Sequence, residues 1–143
     1  MQTIPPDIED ELRKWLPGAL VAAGEPTAAA YAGSTPAELS GRSVTFVATG
    51  GPQINVAMYR MTISVDCRAA LESEAVRLGR ITAGLLDELG RTQSAGSMTV
   101  TRVTVMSLPY INPDPRHPSL HRVTVSAELI VKAALLGCPS APS

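Results

Sequence analysis

From Tyr59 to Asp66 the chain alternates: Tyr59, Met61, Ile63 and Val65 are apolar, and Arg60, Thr62, Ser64 and Asp66 between them are polar. A period of two predicts a strand with one buried face, here spanning 57–67. Residues 43–49 form a second strand, and "GGPQIN" between the two carries the glycine and proline punctuation of a hairpin turn. The period then changes. Leu71, Ala75, Leu78, Ile81, Leu85 and Leu89 recur at helical spacing, which predicts an amphipathic helix over 69–89, ended by Gly90, that covers the buried strand face. A third strand is expected at 98–106, with a bulge where the apolar parity changes between Val100 and Val103. In a fourth, Val123, Val125, Ala127, Leu129 and Val131 point one way while Arg122, Thr124, Ser126, Glu128 and Lys132 point the other.

Upstream, Ile8, Leu12, Trp15 and Leu16 make a shorter apolar stripe behind Pro5 and Pro6, with Asp7, Glu9, Asp10 and Glu11 at the positive end of the helix dipole. This helix is expected to stop before Pro17-Gly18, with "ALVAA" as a brief strand. Residues 24–41 lack any period and read as a long surface loop. The pattern predicts a single α+β domain over 1–135: a mostly antiparallel sheet of four to five strands with two helices on one face, followed by a flexible tail at 136–143. If the helical crossover has its usual form, the strands near 57–67 and 98–106 run parallel. That places the hairpin tip and the segment beginning at Pro109 at opposite ends.

The charge balance, 12 basic against 13 acidic residues, offers no footprint for nucleic acid or an anionic membrane. One Trp, three Tyr and one Phe are too few for a base-stacking surface. There is no apolar run of membrane-spanning length and the N-terminus is acidic, so the chain is expected to be made and kept in the cytoplasm. Cys67 continues the buried parity of its strand and reads as a core residue, while Cys138 lies in the tail; neither has metal-ligand spacing.

The richest segment is 108–121, "LPYINPDPRHPSLH", with four prolines, Tyr110 and both histidines. His117 and His121 are four apart, but Pro113, Pro115 and Pro118 exclude the helix that would align them. A metal or general-base role with Asp114 is the sharper reading. The blander one makes His117 a solvated loop residue and His121 a partly buried strand-edge residue. "TGGP" at 49–52 is too short for a phosphate-binding loop and reads as a turn. Arg77 and Arg80 share a helix face and are either a solvated surface or half of an inter-subunit ion pair. No catalytic set and no cofactor motif is evident.

Taken in order, the helix from Ile4 to Pro17, the "TGGP" hairpin before a strand ending in "ISVDCRA", the helix "EAVRLGRITAGLL", and "LPYINPDP" leading into "HRVTVSAELIV" resemble the tail terminator proteins of long, non-contractile-tailed bacteriophages, the actinobacteriophage type. Residues 24–41 and the tail have no counterpart in that pattern. The resemblance implies a virion protein at the tail-neck junction and no enzyme or cofactor. It implies a homohexameric ring that docks on the tail-tube protein, ends its polymerisation, and meets a head-side neck or connector protein. The tape measure protein is a further candidate partner, and genomic DNA would pass through the lumen without specific binding. On this reading Gly50, Gly51, Pro52, Gln53, Ile54 and Asn55 serve one docking face. The proline-stiffened loop with Tyr110, Asn112, Asp114, Arg116 and His117 serves the other, with Arg77 and Arg80 at an interface. Three alternatives remain at this level: another neck component, such as a head-closure or adaptor protein; a small ligand-binding or enzymatic domain using His117, His121 and Tyr110; and an oligomeric regulator that enters no particle.

Overall fold

The computed structural model describes residues 3–37, 39 and 41–135. The expected tail and Cys138 lie outside the described residues. The order is β1 (Thr3–Ile4), α1 (Ile8–Ala22), β2 (Ala29–Ala32), β3 (Ser43–Gly50), β4 (Gln53–Asn55), β5 (Met58–Ala69), α2 (Glu72–Thr92), β6 (Ser94–Ala95), β7 (Met98–Ile111), β8 (His121–Lys132) and β9 (Ala134–Leu135). The α+β class is as expected, but the main sheet has seven strands rather than four or five. Its order is β2-β3-β5-β8-β7-β6 with β4 added beside β5, and β1 and β9 form a separate pair. All neighbours are antiparallel except β2 and β3. The extra strands are short, two to four residues each, and a period of two cannot be recognised over so few positions.

Both helices contribute to one core with Phe46, Ile63, Val65, Val125 and Leu129. The alternating face of β5 and the stripe of α2 meet there as the pattern predicts, and Cys67 is buried among them. Burial pushes the Cys67 thiol up to about 12, which removes it as a nucleophile. α2 extends past Gly90 to Thr92 and is capped by Gln93 in the left-handed conformation, with its N–H on the Leu89 carbonyl. Gly90 serves packing instead: a Cβ there would meet the Val103 backbone nitrogen at 3.2 Å.

α1 departs most from expectation. It continues through Pro17 to Ala22, so "ALVAA" is helix, not strand. The reason is tertiary. Ile8, Leu12, Leu16 and Leu20 are all buried, and seating Leu16 and Leu20 at about 1.5–3 kcal/mol each outweighs the roughly 3 kcal/mol penalty of an interior proline. α1 touches β2 and β3 on one side and β6 on the other, so the sheet curls around it. Acidic residues of its first turns fasten both sides: Glu9 accepts from the Ala48 N–H at 2.9 Å and Glu11 from Ser97 Oγ at 2.9 Å.

The expected loop 24–41 contains β2, which pairs in parallel with β3 from Ala29–Ser43 to Ala32–Phe46. β7 runs on to Ile111, so "LPYI" is strand and the connector begins at Asn112. Pro109 is tolerated because β7 is an edge strand beyond its two-residue pairing with β6. The expected bulge lies between Val100 and Arg102, and two further register shifts follow at Val105/Ser107 and Ser107/Tyr110.

Candidate functional site

The register places three surfaces. β5 and β8 pair from Met58–Lys132 at one end to Ala69–His121 at the other, and β7 pairs with β8 from Val100–Val131 to Ile111–Val123. The hairpin of β3, β4 and β5 therefore projects from one end of the sheet, and the 112–120 connector lies at the opposite end, as the crossover argument requires. β5 and β7 are parallel with β8 between them.

At the connector end the polar face of the sheet is roofed over. Thr45 of β3, Asp66 and Arg68 of β5, and Arg122 of β8 share a recess of about 230 Å³ with Gly33, Ser34, Thr35, Asp114, Arg116 and His117, and Thr124 Oγ1 of β8 donates to Asp66 at 2.9 Å. Asp114 is its centre. One carboxylate oxygen receives Arg68 Nε at 3.1 Å and Nη2 at 3.0 Å, and lies 2.8 Å from His117 Nδ1; the other receives the Arg116 N–H at 3.0 Å. His117 Nε2 lies 3.0 Å from the Pro36 carbonyl. Both partners of the ring are acceptors, so both contacts are hydrogen bonds only when each ring nitrogen carries a proton. Burial would raise the Asp114 carboxyl, but hydrogen bonds from His117, the Arg116 backbone and Arg68 prevail and hold it well below the usual carboxylate range. Arg122 donates to the Asn112 and Pro113 carbonyls at 2.7 and 3.1 Å, and Asn112 Nδ2 donates to Thr124 Oγ1 at 3.1 Å.

This geometry corrects several expectations for the loop. Asp114 and His117 are each 6% exposed and Arg68 4%; none of the three faces outward to meet a partner. Asn112 is likewise engaged within the chain. His117, expected to be solvated, is buried, and His121, expected to be partly buried, is exposed at the start of β8. The two histidines are thus separated by environment. Both ring nitrogens of His117 are within hydrogen-bond distance of groups of the chain itself. Among the described residues no group of three His, Cys, Asp or Glu side chains is arranged to hold a metal ion. What the loop presents outward is Pro113, Pro115, Arg116, Pro118 and Ser119. Parity identified Asp66 as off the core face of β5, but the expected strand ended at residue 67 and nothing local indicated that a loop 46 residues away would cover Arg68.

At the other end every residue from Gly50 to Ala57 is exposed. Gln53–Asn55 is itself a strand, pairing Gln53 with Tyr59 and Asn55 with Met58, so the turn sits at Val56-Ala57 rather than across "GGPQIN". Backbone bonds hold it: the Arg60 N–H on Pro52 O at 2.9 Å, and the Ala133 N–H on Ala57 O at 2.8 Å. Gly51 is required here, because at φ 141° a Cβ would collide with the Arg60 carbonyl oxygen. Ile54 and Val56 are exposed apolar side chains.

The third surface runs along the side. Met106, Leu108, Tyr110 and Ile111 of β7 are exposed, Leu108 at 79%. Beside them Val105, Leu108 and Pro109 form a largely apolar groove of about 340 Å³ with Ala83 and Gly84 of α2, flanked by Arg80 and Asp87. Ending the third strand at residue 106 hid this strip from the sequence reading. Arg77 is not free for a neighbour: its Nη2 pairs with Glu25 at 2.7 Å within the chain. Arg80 is exposed and makes no ion pair among the described residues.

Among the described residues no helix is long and apolar enough to cross a membrane. No protein-family model matches the chain, and comparison with curated proteins finds no match.

Proposed function

We propose that this chain is a structural subunit of a bacteriophage tail. Copies assemble into a ring, six in number, that caps the tail tube, ends its polymerisation and offers its other side for head joining. The observation that carries this reading is the arrangement of three exposed surfaces on one rigid sheet. The hairpin at 50–57 and the connector at 112–120 occupy opposite ends, while an apolar strip and groove run along the side between them. A ring subunit needs two axial faces and a lateral one, and a ring that satisfies every subunit of a symmetric tube end must match the tube's symmetry. The hairpin contributes Gln53 and Ile54 to one axial face; Arg116 and the exposed prolines form the other. Met106, Leu108 and Tyr110 lie against the adjacent copy, which moves Tyr110 from the axial loop to the lateral contact. Arg80 joins that interface.

The resemblance to tail terminator proteins names the tube protein and a head-side neck protein as the axial partners. The near-neutral, aromatic-poor composition suits a conduit through which DNA slides. Electron microscopy of tube protein polymerised with and without this chain tests the proposal. Tubes of restricted length carrying a ring at one end are expected. Unrestricted tubes with no bound protein would overturn it, and a ring found elsewhere in the neck of an intact particle would reassign the chain to another neck component.

A further inference from the structure

A single buried side chain joins two strand connections. The segment after β2 borders the Asp114 recess with Gly33, Ser34 and Thr35 and continues through Pro36 to Ala37. Hydrogen bonds hold it from two sides. Toward β3, the Gly33 N–H bonds the Phe46 carbonyl at 2.8 Å, and Thr35 Oγ1 lies 2.9 Å from Thr45 Oγ1. Toward the β7–β8 connection, the Pro36 carbonyl lies 3.0 Å from His117 Nε2, while His117 Nδ1 lies 2.8 Å from the Asp114 carboxylate. Gly33, at φ 76°, is where the segment turns away from the sheet. Pro36 and Ala37 are exposed and His117 is buried, so the ring is inside and what it grips is outside.

Neither neutral ring suits both neighbours. With the proton on Nδ1, the Nε2 lone pair faces the Pro36 carbonyl oxygen; with the proton on Nε2, the Nδ1 lone pair faces a carboxylate oxygen. Each case sets acceptor against acceptor in a buried position, where water does not replace the missing bond. Only the doubly protonated ring bonds both neighbours. The charges around the recess pull in opposite directions. Asp114 of the same connection and Asp66 of β5 favour the charged ring; Arg116 of that connection, Arg68 of β5 and Arg122 of β8 disfavour it, and β3 contributes the uncharged Thr45 and Val47. A ring held charged by its own hydrogen bonds, against nearby guanidiniums, is one that a change of pH can switch.

We propose that His117 is a proton-operated latch between residues 33–37 and the β7–β8 connection. The charged ring holds Pro36 and keeps the recess closed. The neutral ring keeps its proton on Nδ1, because a bond to a carboxylate is stronger than one to a carbonyl, and Pro36 is let go. Residues 34–37 then swing out about Gly33. Raising the pH therefore opens the recess at the connector end of the sheet, and lowering it closes the recess. This does not depend on the ring reading.

The test is a titration of the full, isotopically labelled chain from about pH 5 to about pH 9, a span that brackets the ordinary imidazole range. Long-range correlation spectra follow the His117 ring nitrogens, and relaxation gives the backbone order parameters of Ser34, Thr35 and Ala37. At the low end both ring nitrogens are expected to carry protons, with order parameters near the rigid value of about 0.85. As the ring becomes neutral, Nδ1 should keep its proton and these order parameters should fall below about 0.6, while those of Asp114 and Arg116 stay unchanged. His117→Gln has no ring to titrate and should show no such step; Glu38→Gln should show the wild-type step. The proposal is overturned if residues 34–37 are equally ordered with the ring charged and neutral, if the neutral ring carries its proton on Nε2, or if the ring keeps one protonation state over the whole range. It is also overturned if the step survives in His117→Gln or is abolished in Glu38→Gln, since another group would then be titrating.

Discussion

The two ends of the sheet are built on different physics. At the connector end a loop whose one carboxylate is hydrogen-bonded by Arg68, His117 and the Arg116 N–H is stapled down by side chains: Arg68, Asp114, His117 and Arg122 are drawn from β5, the loop and β8. At the hairpin end the chain is held by backbone pairing to β5 and by the Ala133 N–H, and its side-chain hydrogen bonds, from Gln53 to the Asn55 carbonyl and from the Ala57 N–H to Asn55 Oδ1, stay within the turn. A loop held by buried charge is sensitive to which side chains it contains. A loop held by main-chain bonds tolerates almost any side chain except where a Cβ collides. On the ring reading, both arrangements would present a held loop to a partner, which lowers the ordering entropy that opposes docking.

The largest expected effect is at Asp114. Replacing it with Ala leaves the buried Arg68 only the longer 4.0 Å pair with Asp66 and should cost about 3–5 kcal/mol in urea unfolding. A loss below about 1 kcal/mol would mean that the cluster does not hold the connector. At the other end Gly51→Ala should cost about 1–3 kcal/mol, because φ is strained and the Arg60 carbonyl must move. Amide exchange should quicken in 50–60 and stay unchanged in 112–120; quickening at both ends would show that the two are coupled.

Acid separates the ends next. The Asp114 carboxyl is held below its unfolded value of about 4, so it contributes stability above that pH. As pH falls below about 4 the unfolded chain takes up this proton while the folded one does not, and the contribution is lost progressively. Urea midpoints measured from pH 6 to pH 2 should fall less steeply in Asp114→Asn than in wild type. Equal slopes would place the acid sensitivity elsewhere.

The smallest effects on stability are expected at exposed positions, where the functional reading makes its demands. Gln53→Lys, Ile54→Asp and Arg116→Glu should each change stability by no more than about 0.5 kcal/mol. On the ring reading the two hairpin substitutions impair one docking step and Arg116→Glu the other, scored by tube capping and by head joining. Loss of the same step at both ends would break the opposition between them.

The amphipathic faces were legible because each is a local repeat. The period-two parity of β5 and β8 and the helical stripe of α2 are each written within about twenty consecutive residues, and apolar burial dominates at those positions. The crossover rule carried this further and located the two loops at opposite ends of the sheet. Other features depended on contacts between segments far apart in the chain. Pro17 predicts a stop for α1, and only the core that receives Leu16 and Leu20 overrides it. Pro109 predicts the end of a strand, and only an unpaired edge accommodates it. The connector attracted attention through His117 and His121, yet nothing within it distinguishes a buried ring from a solvated one.

By itself, then, the order of apolar and polar residues determined which faces must be hidden and therefore the α+β class, since hydrophobic burial follows from a side chain's own chemistry and its neighbours' spacing. The tertiary structure decided which polar groups are hidden with them. Burying Arg68, Asp114 and His117 is favourable only because each finds its partners in the folded chain, from Pro36 in the β2–β3 connection to Asp114 in the β7–β8 connection. Such complementarity is a property of the assembled whole, because a charge is tolerated inside a protein only where its counter-charge and donors have already been placed.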